Sequence, residues 1–265
     1  MGYFKTLDGC SLYYETIGFE SPGPVVIFLN GTMQTTMYWK NIANRLKPGF
    51  RSLLYDARGQ GESDLGNLPL SLDLHLSDLQ ALLRNLKISR SSLVGLSHGA
   101  HLAYAATLKF PAFFGKIMML GAGAGSTVRG RMIVKSWVEI LKQGNLEAMV
   151  WATIPNVLGQ PFLRKNEKML DRMVKAIVRR NKAKSLLAHL KALDNYKPIS
   201  KSLKKLDIPL LVITGDEDPL VTVEGAKEIA RKSGGRHMVF KGVGHSIAIE
   251  APDLFIKTLQ EFFLE

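Results

Sequence analysis

The sequence predicts an α/β fold, a mostly parallel sheet covered by helices on both faces, with a helical cap inserted late in the chain. Three observations carry this. Eight short segments have strand character, and from residue 25 onward helix-patterned stretches separate most of them. Residues 91–107, SSLVGLSHGAHLAYAAT, pass from an apolar strand through Gly95-Leu96-Ser97-His98-Gly99 into a helix of small residues. Between residues 126 and 205 the alternation stops, and only amphipathic helical stretches remain.

The elements follow in order. The 265 residues, 46% hydrophobic, suffice for one such core with an insertion. Tyr3–Leu7 and Leu12–Gly18 alternate loosely about Asp8-Gly9, a hairpin turn pair. Val25–Leu29 is a continuous apolar run, as in a strand buried on both faces. It ends in Asn30-Gly31-Thr32-Met33, where the glycine lets the backbone turn and leaves N–H groups free at the edge of the sheet. A helix is expected over 36–46, a strand over Arg51–Tyr55, and then a polar glycine-rich loop, Asp56–Ser63. Leu72, Leu76, Leu79, Leu83 and Leu86 mark a helix at 73–86. After the 91–107 unit, Lys116–Leu120 is a strand closed by Gly121–Gly125. Helical stretches at 131–143, 146–158, 166–180 and 182–194 make up the cap, 126–205, between core segments 1–125 and 206–265. The alternation resumes with Ile208–Thr214, a helix at 223–232, a strand at 236–240 and a helix at 252–264.

The glycines around Ser97 have a steric reason. A strand that turns sharply into a helix forces the residue at the turn into strained geometry, and side chains two positions before and after would collide with neighbouring backbone. The serine oxygen is lifted clear of the sheet, and the positive end of the helix points at it. Ser97 is therefore the candidate nucleophile.

Composition excludes several classes. No apolar run is long enough for a membrane span, and MGYFKTLDGC carries no apolar signal segment, so a cytoplasmic location is expected. The single Cys10 excludes an intramolecular disulfide and a cysteine-cluster metal site. The net charge of +12 is unevenly placed: residues 126–205 hold 18 Lys and Arg against 5 Asp and Glu, and the remainder is close to neutral. Such a surface suits solubility, or an acidic partner, anionic substrate or anionic membrane interface. No nucleic-acid motif accompanies it.

Together, the Asp8-Gly9 hairpin, Asn30-Gly31, the loop Asp56-Ala57-Arg58-Gly59-Gln60-Gly61-Glu62-Ser63, the Ser97 turn, Gly215-Asp216-Glu217-Asp218 and Gly242-Val243-Gly244-His245 resemble the α/β-hydrolase fold over almost the full length. The resemblance implies an eight-stranded sheet and a serine, acid and histidine in that chain order. A serine hydroxyl needs a base, and the base needs an orienting group. Of six histidines, His98 and His101 start a helix and diverge from Ser97, while His75, His189 and His237 are expected on element surfaces. His245 follows a strand and a glycine-rich turn that can carry it over Ser97, and is the candidate base. Asp216 and Asp218 both follow the 208–214 strand; the family spacing Gly-x-x-Asp selects Asp218. The resemblance also implies an oxyanion hole from the backbone N–H groups of Thr32 and His98. Many relatives have His where this chain has Asn30. Asp56 and Arg58 are expected to brace their loop. Met33, Trp137 and Trp151 are the candidate substrate-lining residues.

The segment Leu29–Thr36 also resembles the Asn-Gly-x-Met-x-Thr-Thr segment of 3-hydroxyacyl acyltransferases and thioesterases of rhamnolipid and polyhydroxyalkanoate precursor synthesis, as does Ala192-Leu193-Asp194-Asn195. That resemblance implies an acyl carrier protein as partner. The expected function is a serine hydrolase cleaving carboxylic esters or thioesters, with no metal or organic cofactor. The alternatives are acyl transfer from a carrier-bound thioester, and a non-enzymatic ligand binder on the same fold.

Overall fold

A computed structural model of the chain describes residues 1–196 and 199–265. Its sheet has eight strands in the order β1-β2-β4-β3-β5-β6-β7-β8. The hairpin β1 (Gly2–Lys5) and β2 (Ser11–Ile17) turns through Gly9 at φ 81°, and β2 pairs antiparallel with β4 (Arg51–Tyr55). The pairings of β3 (Val25–Leu29), β4, β5 (Ser91–Leu96), β6 (Phe114–Leu120), β7 (Leu210–Gly215) and β8 (Arg236–Phe240) with one another are parallel.

The alternation along β3 shows how the layers form. Val25, Ile27 and Leu29 enter one apolar cluster, and Val26 and Phe28 enter the other. The first face is covered by α2 (Leu72–Asn85), α3 (His98–Lys109) and α9 (Val223–Ser233). The second is covered by α1 (Thr36–Leu46), α10 (Ile247–Glu250) and α11 (Pro252–Leu264). Ser71, Thr127, Asn145 and Thr222 each accept an N–H at the start of a helix, as N-caps should.

Between β6 and β7 the chain forms α4 (Val128–Lys142), α5 (Leu146–Val157), α6 (Gln160–Asn166), α7 (Leu170–Arg180) and α8 (Ala183–Asp194). These helices enclose two small apolar clusters distinct from those on the sheet. The expected single helix over 166–180 is replaced by α6, a 3-10 turn at Glu167–Met169, and α7. Asn166 leaves helical geometry at φ −112° and ψ 12°, and its amide donates to the Phe162 carbonyl at 2.9 Å, competing with the helix ladder. Among the described residues, no helix is long and apolar enough to cross a membrane.

Candidate active site

Ser97 stands between β5 and α3 with φ 54° and ψ −115°. A Cβ at position 95 would lie 2.2 Å from the Gly99 carbonyl oxygen, and one at position 99 would lie 2.2 Å from the Leu29 carbonyl oxygen. Only glycine fits at either place, as the steric argument requires. The Ser97 N–H donates to the Leu120 carbonyl at 2.9 Å, which anchors the turn to the end of β6.

The loop after β7 carries Asp218, and the loop after β8 carries His245. Asp218 Oδ1 accepts the N–H groups of Leu220 and Val221 at 2.8 and 3.1 Å, while Oδ2 pairs with His245 Nδ1 at 2.6 Å. Both side chains are buried, Asp218 completely. This pairing assigns the proton to Nδ1 and leaves Nε2 as an acceptor. The ring lies against Gly121, where a Cβ would fall 2.9 Å from Cε1 and Nδ1. Gly121 follows Leu120, the residue that anchors Ser97, so serine and imidazole share one corner of the sheet. Burial disfavours the imidazolium, but the charge and hydrogen bond of Asp218, with the charge of Glu250, outweigh it and hold His245 above its ordinary range. Asp216 instead accepts the Gly242 N–H at 2.7 Å and lies 3.4 Å from Lys241 Nζ.

The expected oxyanion donors are Thr32, in the loop after β3, and His98, the first residue of α3. Among the described residues neither backbone N–H donates a hydrogen bond. The loop is held from three sides. Gln34 Oε1 accepts the Gly31 N–H, Gln60 Nε2 donates to the Gly31 carbonyl, and Asn181 Nδ2, at the end of α7, donates to the Met33 carbonyl at 3.1 Å. Met33 itself has φ 70°. Asn30 works behind the loop: its Nδ2 donates to Tyr55 O and Asp56 Oδ1, and its Oδ1 accepts Trp39 Nε1.

Asp56 and Arg58 brace their loop through hydrogen bonds. Asp56 accepts from Asn30, Thr36 and Glu62, and burial lifts its carboxyl to about 6. Arg58 is 1% exposed and bonds Asp8 and Asp78 on two sides.

One expectation is corrected. His75 and His189 do not lie on surfaces. With His98 they form a buried cluster, ring centroids 5.2 to 5.8 Å apart, in which His189 Nε2 meets the Arg58 carbonyl. His75 shares the apolar face of α2 with Leu72 and Leu79, and His189 sits beside Leu186 and Leu190 on α8, so both are carried inward. Trp151 is 37% exposed and joins neither cap cluster, because Met149, Val150 and Ile154 occupy the buried side of α5. Trp137 is buried in a cluster against which Met33 and Leu220 pack, and among the described residues its Nε1 has no hydrogen-bond partner. His237 is half-buried beside Thr214. Among the described residues, no group of His, Cys, Asp and Glu is arranged to hold a metal ion.

Residues not anticipated from the sequence hold the site together, chiefly Gln34, Gln60, Asn181 and Glu250. Most of them act through backbone groups distant in the chain, which leaves no spacing to read.

The chain is 25% identical over 256 residues to the 2-hydroxy-6-oxononadienedioate/2-hydroxy-6-oxononatrienedioate hydrolase of Escherichia coli, spanning 89% of this chain and 86% of that protein. It superposes on an α/β-hydrolase enzyme from a Medee basin deep-sea metagenome library with a TM-score of 0.92 at 23% identity, covering 100% of this chain and 98% of that one. The enol-lactonase of Burkholderia xenovorans gives a TM-score of 0.89 at 22% identity, with both chains fully covered. The esterase of Exiguobacterium antarcticum gives 0.88 at 22% identity, again with full coverage of both. Residues 20–252 match the family model described as serine aminopeptidase, S33. The chain belongs to that hydrolase family and has the α/β-hydrolase fold.

Proposed function

We propose that this hydrolase cleaves carboxylic esters or thioesters through an acyl-enzyme on Ser97. The observation that carries the reading is the buried Asp218–His245 pair at 2.6 Å, its ring seated on Gly121 beside the serine turn. His245 Nε2 takes the Ser97 proton as Oγ attacks the carbonyl carbon. The Thr32 and His98 N–H groups receive the oxyanion, each worth about 10²–10³ in rate. The imidazolium then gives its proton to the leaving alcohol or thiol. Water, deprotonated by the same nitrogen, attacks the acyl-enzyme and releases the acid, returning the proton to Ser97. Residues 126–205 form the cap over this chemistry, and Met33 and Trp137 line its acyl side.

A second reading is favoured by the identity to the Escherichia coli hydrolase. The compounds in that protein's name are keto dicarboxylates without an ester group, so their hydrolysis breaks a carbon–carbon bond. The relatives lend no support to acyl transfer or to an acyl carrier protein as partner. The exposed cations Arg172, Lys175, Arg179 and Arg180 of α7 still offer a surface to an anionic interface. Its sign is a loss of efficiency with rising salt for an anionic substrate only.

The test is a substrate panel run beside a fluorophosphonate probe. The panel holds 4-nitrophenyl esters and acyl thioesters of graded length, a 2-hydroxy-6-oxo-dienoate and an aminoacyl anilide. Ester or thioester turnover that Ser97→Ala abolishes supports the proposal. Turnover of the keto acid alone replaces it with the second reading. A protein whose Ser97 resists the probe, and which turns over nothing, is a binder.

A further inference from the structure

One of the places where the cap meets the body is densely hydrogen-bonded. Between α5 and α6 the backbone passes through Val157, Leu158, Gly159 and Gln160. There the Ser246 N–H points at the Val157 carbonyl at 3.0 Å, Glu250 Oε2 accepts the Gly159 N–H at 2.7 Å, and Glu217 Oε2 accepts the Gln160 N–H. The fit leaves no room for a side chain: a Cβ on Gly159 would lie 2.9 Å from the Gly244 nitrogen, and 3.0 and 3.1 Å from the Glu217 and Glu250 carboxylates.

Glu250 does more than hold the cap. The same Oε2 accepts the Gly244 N–H at 2.9 Å, and Oε1 accepts the Ser246 N–H at 3.0 Å. Gly244 and Ser246 are the residues on either side of His245. One half-buried carboxylate therefore grips the peptide groups before and after the candidate base, together with an amide of the cap. We propose that Glu250 is a positioning residue: it fixes the His245 backbone from both sides and makes the seat of the cap and the place of the imidazole a single arrangement.

This rests on the reading of His245 as base, and it has an electrostatic side. The ionisable groups facing His245 are Asp218, from the loop after β7, and Glu250, from α10. Facing Glu250 are His245 and Tyr38 of α1, and Glu217 binds the neighbouring amide. The negative charge of Glu250 favours the imidazolium. Burial raises the carboxyl of Glu250 itself, and its three N–H donors oppose that rise.

The experiment is the pH dependence of kcat/KM for a 4-nitrophenyl ester, in the wild type, Glu250→Gln, Glu217→Gln and His245→Ala. Inactive His245→Ala is the condition on the underlying reading; activity there overturns that reading and leaves Glu250 without a base to position. With that met, Glu250→Gln turns an NH₂ group toward N–H donors and removes the charge. It should lower kcat/KM by about 10- to 100-fold and move the acid limb to lower pH. Glu217→Gln, which touches only the cap amide, should leave the limb in place. A Glu250→Gln limb that coincides with the wild type, or activity within twofold of it, overturns the proposal. Gly159→Ala supplies a second route should Glu250→Gln fail to fold, because its Cβ wedges the junction without changing charge. It should lower kcat for short and long esters alike; an effect on KM for long esters alone overturns the coupling.

Discussion

On the proposed mechanism, replacing Asp218 with Asn separates orientation of the base from everything else in the site. The side chain is fully buried and makes contacts of two kinds. Oδ1 accepts the Leu220 and Val221 N–H groups, and an Asn carbonyl oxygen can keep both. Oδ2 faces His245 Nδ1 at 2.6 Å, and there the variant presents an NH₂ group. Nδ1 must then become the acceptor, the ring proton moves to Nε2, and on the proposed mechanism that nitrogen can no longer take the Ser97 proton. The loop stays folded while the imidazole is held in the wrong tautomer. For serine triads this costs about 10⁴ in turnover, about 5 kcal/mol of transition-state stabilisation. The loss of the Asp218 charge also removes the main influence holding His245 above its ordinary range, so the acid limb of the residual activity should fall to lower pH. The assay is kcat/KM from pH 5 to 9 on a 4-nitrophenyl ester, with circular dichroism to verify the fold. More than about 1% of wild-type activity in Asp218→Asn, or a larger loss in Asp216→Asn, refutes the assignment of the acid.

Ser97→Ala should lose fluorophosphonate labelling and about six decades of rate, leaving only binding and oxyanion effects; undiminished labelling moves the nucleophile elsewhere. Gly99→Ala should prevent normal folding, since its Cβ would stand 2.2 Å from the Leu29 carbonyl oxygen; a soluble, fully active variant would contradict the turn geometry. Arg58→Met should destabilise the protein by about 3–5 kcal/mol in urea titration, because Asp8 and Asp78 lose the cation between them; a change under 1 kcal/mol refutes the bracing role. Burial lowers His75 to about 3 and His101 to about 4, and lowers His98 and His189 as well. The unfolded chain binds those protons near pH 6.5, so stability present above that pH should drain away toward pH 4, by up to about 1.4 kcal/mol per pH unit for each histidine. His75→Gln should flatten the dependence of Tm on pH over that range, and an unaltered slope would show that the cluster does not control it.

Local signals carried much of the fold. Val25–Leu29, Arg51–Tyr55, Arg236–Phe240 and the helices at 36–46 and 252–264 have the expected bounds, because apolar runs and periodic faces are properties of adjacent residues. The serine turn was legible for the same reason: Gly95 and Gly99 are needed by the backbone within a few residues of themselves. Contacts made across the fold left weaker traces. His75 lies on the Leu72–Leu79 stripe, so its burial was readable, but nothing near it in sequence announces His98 and His189. The break at Asn166 depends on a side chain choosing its own carbonyl partner over the ladder. Glu250 grips Gly159 from 91 residues away through a backbone amide, which every residue but proline carries.

The two small apolar clusters of the cap do not merge with those on the sheet. A unit that closes its own core can open without unfolding its neighbour. Amides in α4 to α8 would then exchange with solvent through a sub-global opening that lies well below the global unfolding free energy. The sheet strands under them would exchange only on complete unfolding. Under the proposed mechanism, each such excursion of the helical insertion would admit bulk water to Ser97. The frequency of local opening, a thermodynamic property of a few Leu, Met and Trp contacts, would thus set how long the proposed acyl-enzyme survives.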